Sequence, residues 1–346
     1  MNNIPSRRKA LGQLAAMTAA PMLAASPFRH VYAQTAKQIR VGYLHIPSCD
    51  SQMWLMKEYG YWAKEGLEPV FTRFNTGIEG FSALVGGSVD VFSTGGVTHN
   101  FPARGQGVVV LPNTVEWGGQ VFGRTDAGVN SLADLKGKKI STTLGTTGQI
   151  FLHTALKSVG LDSTKDIEIV SQTMPNAVTS FMTGSLPALS TWVPFNLRAR
   201  EAKSAKLLAE ARQFASKGAG YVITAYSTNK KILETNPDLI RRLIAAWGPA
   251  NEMLRTKKEE SAQLLLSKYY KGEMEPADMT ANFGAMDLHG NTEWAGKMAD
   301  GSLVGMLDSV TKMFVEFGAM KDPLPAAKYS DFSFYSAAFK IGRAHV

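Results

Sequence analysis

From residue 38 the apolar positions change period repeatedly: short runs that read as strands alternate with stretches whose apolar residues recur every three or four positions, as in amphipathic helices. "QIRVGYL" predicts the first strand, "SQMWLMKEYGYWAKEG" the helix after it and "LEPVFTRF" the second strand. "GIEGFSALVGG" predicts a helix that stops at Gly86 and Gly87, and "VDVFST" and "VVVLPNT" supply two more strands. A second unit opens with "GGQVFGRTDAGVNSLADLKGKKISTTL" and continues through the strand-like "DIEIVSQT" and "LPALSTW", each linked to a helix. After "GYVITAYST" the pattern turns strongly helical, from "NKKILETNPDLIRRLIAAWGPANEML" to about residue 320. This alternation predicts an α/β fold with mostly parallel strands, without repeats or heptad arrays.

Such sheets bind ligands at the carboxyl ends of their strands. The loops predicted there (45–52, 75–80, 93–100, 144–149 and 191–196) are all rich in Ser, Thr, Asn and Gly. "STTLGTTGQIFLHTAL" (141–156) reads as a strand, a Gly/Thr turn and a helix. The first N–H groups of a helix lack internal partners and sit at the positive end of its dipole, so this turn suits an anion. Gly145 and Gly148 allow a tight turn, while Thr146 and Thr147 could either cap the helix or offer hydroxyls to an oxyanion. The stretch fits neither a Walker A loop nor G-x-G-x-x-G, which disfavours a nucleotide.

Other residues join it as candidates. Ser51 and Gln52 are expected to open the first helix and face an oxyanion, although capping explains Ser51 equally well. Thr76, Gly77, Ser93, Thr94 and Gly95 sit at predicted strand ends and form a group expected to line the site. Trp192, between a strand and Pro194, could wall a pocket or fill a core. Trp117, just ahead of the second unit, could touch ligand or the junction between the units. Asp50, placed in the loop after the first strand, and Glu116 are acids that could pair with a ligand ammonium or remain solvated. His45 and His99 also fall near strand ends, but two imidazoles without a carboxylate pattern do not make a metal site, so neither metal nor cofactor is expected.

Length and charge refine the picture. The 346 residues, 45% hydrophobic, give room for two domains with cores of their own. The opening "MNNIPSRRKALGQLAAMTAAPMLAASPFRHVYAQ" has a basic start, an Ala-rich apolar stretch too short to span a membrane, and small residues around a cut expected after Ala33. Ser6-Arg7-Arg8 with Leu11 resembles the twin-arginine export motif, with Ala10 where Phe is usual; Sec export is the alternative. Removing residues 1–33 takes away four basic residues and no acid, so the formal net charge falls from +8 to +4 and a nucleic-acid partner loses support. The final "IGRAHV" (341–346) matches a translated sequencing adapter and is set aside. Cys49, the single cysteine, permits neither an internal disulfide nor a thiolate metal cluster.

"NTGIEGFSALVGGSVDVFSTGG", "SLADLKGKKISTTLGTTG" and "MTGSLPALSTWVP" resemble, in that order, the substrate-binding proteins of ABC importers for nitrate, sulfonate, taurine and pyrimidine precursors. The family pattern is a Gly before an amphipathic helix leading to Leu-x-x-Gly-x-x-Asp, then Asp-Leu-Lys-Gly-Lys before a Gly-Thr turn, then Gly-x-x-Asp-Ala before Trp-x-Pro. Pro187 departs from it, standing where Asp is usual before Ala188. The resemblance, over residues 38 to roughly 320, implies a type II periplasmic binding protein fold: two α/β lobes joined by two crossovers, with the ligand between them. Lobe one would take residues 38–118 and 226–338, and lobe two residues 119–225. It also implies a monomer in the periplasm that binds a small anion, sulfonate- or taurine-like, and hands it to a membrane permease with its cytoplasmic ATPase. An aromatic or pyrimidine-type ligand is the alternative. One relative of the family is a pyrimidine synthase associated with a Cys-rich motif and iron, which a chain with one Cys does not match.

Overall fold

The computed structural model describes residues 36–339, so the expected export signal and the 341–346 stretch lie outside the described residues. The strands are β1 (Lys37–Tyr43), β2 (Leu67–Arg73), β3 (Val91–Thr94), β4 (Val108–Glu116), β5 (Gln120–Arg124), β6 (Lys139–Thr142), β7 (Glu168–Ser171), β8 (Ala188–Thr191), β9 (Ala205–Glu210), β10 (Val222–Thr228) and β11 (Met286–Asp287). They form two sheets, ordered β11-β4-β10-β3-β1-β2 and β7-β6-β8-β5-β9. In the first, β1 runs parallel to β2 and β3, while β10 is antiparallel to both β3 and β4. In the second, β6 is parallel to β7 and β8, and β5 antiparallel to β8 and β9.

Helices cover these sheets. Lobe one holds α1 (Pro47–Glu58), α2 (Tyr61–Lys64) and α3 (Gly77–Val85); lobe two holds α4 (Thr147–Lys157), α5 (Met174–Met182) and α6 (Phe195–Arg200). The chain then adds α7 (Lys230–Thr235), α8 (Pro237–Thr256), α9 (Lys258–Lys268), α10 (Pro276–Gly284), α11 (Asn291–Ala299), α12 (Ser302–Glu316), α13 (Ala326–Tyr329) and α14 (Ser333–Ala338) to lobe one. Ile39 and Val41 of β1 share a core with Met53, Leu55 and Met56 of α1 and with Leu243 and Trp247 of α8. Lobe two packs Val121, Ile140, Leu152 and Leu156 in one cluster and Phe122, Phe181 and Leu189 in another. Each such buried side chain contributes roughly 1.5–3 kcal/mol relative to exposure.

The chain crosses between lobes at 117–119 and again over 211–221. Residues 222–225, expected in lobe two, belong instead to the first sheet. β10 is buried along its whole length because it hydrogen-bonds to strands on both sides, so it cannot start part-way along. Away from the cleft, α4 also meets α12: Glu316 accepts from Lys157 Nζ at 2.7 Å and pairs with His153 Nε2 at 3.1 Å. Among the described residues no helix is long and apolar enough to cross a membrane.

Candidate functional site

A cavity of about 550 Å³ opens between the lobes, and a smaller one of about 40 Å³ lies beside it. Leu44, Ile46, Gly77, Thr146 and Trp192 line both. Five helices begin at these walls, each contributing its N-cap or first turn: Ile46 for α1, Thr76 and Gly77 for α3, Thr146 and Thr147 for α4, Thr173 and Met174 for α5, Pro194 and Phe195 for α6. A helix start carries about half a positive charge and N–H groups without internal acceptors. Converging five of them makes the cleft an acceptor-seeking surface without any unpaired basic side chain on its walls.

The Gly/Thr turn builds one of these ends in an unexpected way. Gly145 takes φ +77°, and its N–H donates to Gln149 Oε1 at 2.7 Å, so it shapes the turn and does not line either cavity. Thr146 occupies the N-cap position, yet its hydroxyl donates to the Thr143 carbonyl at 2.7 Å and caps nothing. The capping alternative for this turn is therefore not realised. Thr147 Oγ1 accepts the Gly96 N–H at 3.2 Å, a hydrogen bond from one lobe to the other. Thr76, by contrast, is a true cap: its hydroxyl accepts from Glu79 N–H while the Glu79 carboxylate accepts from Thr76 N–H.

The larger cavity is walled by rings. Trp192 meets Phe195 edge-on at 5.6 Å, and across the cleft His45 stacks on Tyr270 at 4.2 Å. His45 adopts φ +61°, unusual for a residue with a side chain, and neither ring nitrogen has a hydrogen-bond partner. Burial, with Arg73 nearby, lowers its pKa to about 4, so the ring is neutral at pH 7. At the mouth Arg73 and Glu273 form an ion pair of 2.7 Å, both about half exposed. Such a pair is worth little in stability but keeps the mouth free of an unpaired cation.

Of the residues singled out from sequence, Thr76, Gly77, Thr94, Gly95, Thr146, Thr147 and Trp192 come together on the cleft. Six do not. Pro47 starts α1 a full turn earlier than expected, which carries Asp50, Ser51 and Gln52 into the helix and its core. Asp50 is fully buried and accepts from the Tyr270 hydroxyl; burial raises its pKa to about 7. Ser51 donates to its own helix at Pro47 O (2.6 Å), and Gln52 reaches Asn251 Oδ1 at 3.3 Å. Ser93 points away from the cleft and donates to the Cys49 carbonyl at 2.5 Å. Trp117 lies at the crossover, with Nε1 donating to Asp287 Oδ2 at 2.7 Å and the Arg212 guanidinium over its ring. Gly145 is the sixth. Glu116, the last residue of β4, is buried and lines the small cavity; burial raises its pKa to about 7. Pro187 sits just before β8, where its carbonyl accepts from Arg124 N–H at 2.9 Å.

The sequence reading missed Arg73, Tyr270 and Glu273, which reach the cavity from distant points in the chain. It also missed the start of α5, although Thr173-Met174-Pro175 carries the Thr-then-Pro signature of a helix start.

A protein of Brucella abortus provisionally named a binding protein is 28% identical over 301 residues, 86% of this chain and 92% of that one. The structure of the alkanesulfonate-binding protein SsuA from Xanthomonas axonopodis pv. citri, bound to MOPS, superposes with a TM-score of 0.67 at 18% identity, over 85% of this chain and 98% of that one. The periplasmic nitrate-binding protein NrtA from Synechocystis PCC 6803 gives 0.71 at 14%, over 88% and 89%. With the two lobes and two crossovers described above, these likenesses show the type II periplasmic binding protein fold. The model of the family described as NMT1/THI5 like matches residues 52–261, more than half of the chain, and spans strands of both sheets. The chain belongs to the NMT1/THI5-like family.

Proposed function

We propose that this protein is the solute-binding component of an ABC import system, holding a small organic anion of the sulfonate or taurine type between its lobes without transforming it. The observation that carries the reading is the convergence of five helix N-termini on one cleft beside a 550 Å³ cavity walled by rings. An oxyanion there accepts several backbone N–H groups at once, and an organic body packs against Trp192 and Phe195. The names of its relatives support the same class of role. Closure brings Thr147 onto Gly96, so ligand contacts from both lobes exist together only in the closed state. The partners are then a membrane permease and its ATPase, and the place of action is the periplasm, reached through the export signal read in residues 1–33.

A thermal-shift screen of the mature chain tests this. A ligand at a hundred times its dissociation constant stabilises the fold by about 2.7 kcal/mol, several degrees in Tm. Sulfonates and related small anions should produce that shift and be recovered unchanged. A set of small anions that shifts nothing, or a ligand recovered chemically altered, would remove the reading.

A second reading, an aromatic or pyrimidine-type ligand in the same cleft, is favoured by the rings that face one another across it: Trp192 and Phe195 on lobe two, His45 and Tyr270 on lobe one. The same screen separates the two, because a flat neutral ring gains from these walls and little from the helix ends.

A further inference from the structure

Glu116 is the charged residue among those lining the small cavity. It ends β4 between two neighbouring strands, opposite Val222 on one side and Met286 on the other, and is 4% exposed. Its carboxylate accepts no hydrogen bond from any described residue, and burial alone shifts its titration. Glycines leave room around it. A Cβ added at Gly95 would lie 3.1 Å from Glu116 Oε2 and 3.5 Å from Thr147 Oγ1, and one added at Gly118 would lie 2.6 Å from Oε1. The carboxylate therefore shares its pocket with the start of α4 and is held by nothing polar. Asp50, the other buried acid of this region, differs: the Tyr270 hydroxyl donates to it, and it lines neither cavity.

A buried carboxylate without donors is costly, and a ligand that brings a donor removes the cost. A plain anion brought to the neighbouring helix ends supplies no such donor. The cavity, about 40 Å³, has room for one small group such as an ammonium and not for a ring.

We infer that Glu116 accepts the ligand's ammonium group, so that the cleft selects a small zwitterion whose anionic end lies on the helix N-termini and whose ammonium lies in the small cavity. This rests on the reading of the cleft as a solute site and names the class of solute it takes. Glu116 then sets specificity: the helix ends attract anions in general, and the carboxylate passes those that carry an ammonium.

The test uses pairs of probes that differ in the ammonium, taurine against ethanesulfonate and β-alanine against propionate, titrated by calorimetry into the wild type, Glu116→Gln and Glu116→Asp. In the wild type the ammonium-bearing member of at least one pair should bind tenfold or more tightly than its partner. Glu116→Gln should erase that ratio, and Glu116→Asp, which keeps the charge, should retain part of it. The ratio within one protein cancels any general loosening of the fold. Melting curves of both variants verify that they fold, and Glu116→Gln removes a buried charge at nearly constant shape. Two results overturn the inference while leaving the solute-binding reading standing: ethanesulfonate or propionate binding the wild type as tightly as its partner, or Glu116→Gln keeping the wild-type ratio. If no probe binds the wild type, the inference and the small-anion reading fall together.

Discussion

Gly96→Ala should separate closure from folding. Gly96 begins a short 3-10 turn after β3, and a Cβ built on it would lie 2.4 Å from Thr147 N and 2.9 Å from Thr146 C, both on the opposite lobe. Ordinary contact begins near 3.4 Å, so the lobes must part by about 1 Å at this point. Overpacking of this kind costs about 1–3 kcal/mol where the neighbours cannot yield. Parting the lobes also weakens the Gly96 N–H bond to Thr147 Oγ1, a net loss of about 1 kcal/mol. In the open state that the proposed function requires, neither penalty would apply, because the lobe that carries Thr147 would stand apart from Gly96. The whole cost, about 2–4 kcal/mol, falls on the closed, liganded state, and at 1.4 kcal/mol per factor of ten the affinity should drop roughly 30- to 700-fold. Calorimetric titration with taurine measures the loss, and a melting curve without ligand should stay within about 2 °C of the wild type. Wild-type affinity in Gly96→Ala would refute the closed-cleft reasoning, as would a fall in unliganded Tm large enough to account for the lost binding.

Thr147→Ala removes the acceptor of the same interlobe bond and should weaken taurine binding by about 0.5–1.5 kcal/mol in the same titration, with little change in unliganded Tm. Asp50→Asn should leave the taurine-to-ethanesulfonate affinity ratio within twofold of the wild type, because Asp50 lies behind Tyr270 in the core; a changed ratio would return it to the cleft. Tyr270→Phe deprives that buried carboxylate of its donor and should lower stability by about 1–3 kcal/mol in urea unfolding. The carboxyl pKa values of Asp50 and Glu116 are both raised by burial to about 7, against about 4 in an unfolded chain. Groups raised in this way support the fold fully below pH 4, and that support is lost as pH rises through 7. Tm scanned from pH 5 to pH 8 should fall, with a shallower slope in Asp50→Asn; a rise over that window would contradict it.

What could be read from the sequence is what depends on neighbours in the chain. The strand-turn-helix stretch at 141–156 forms as read, and Trp192 follows β8 as its spacing implied, because hydrophobic period and turn residues are local signals. Asp50, Ser51 and Gln52 were misplaced by one helical turn. The polar run Ser48–Gln52 looks like a loop, yet Pro47 with its fixed φ starts the helix before it and the Tyr270 hydroxyl satisfies the buried acid. Ser93 fell on the wrong side for a related reason: alternation along β3 turns it toward α1, whose Cys49 carbonyl accepts its hydrogen bond. Tyr270 reaches Asp50 from 220 positions away, and Glu273 reaches Arg73 from 200. No periodicity reports such pairs, because the topology alone brings them together. Even the start of lobe two's return was hidden, since β10 becomes an interior strand only when β3 and β4 are both in place.

The most direct measurement is a crystal structure of the mature protein saturated with taurine, the probe that satisfies both ends of the cleft. The expected result is one molecule per chain, chemically intact, with its sulfonate within hydrogen-bond distance of the backbone N–H groups at Gly77 and Thr146, which line both cavities, and its ammonium on the Glu116 carboxylate. Taurine found elsewhere on the surface, or a closed cleft that holds none at saturation, would contradict it.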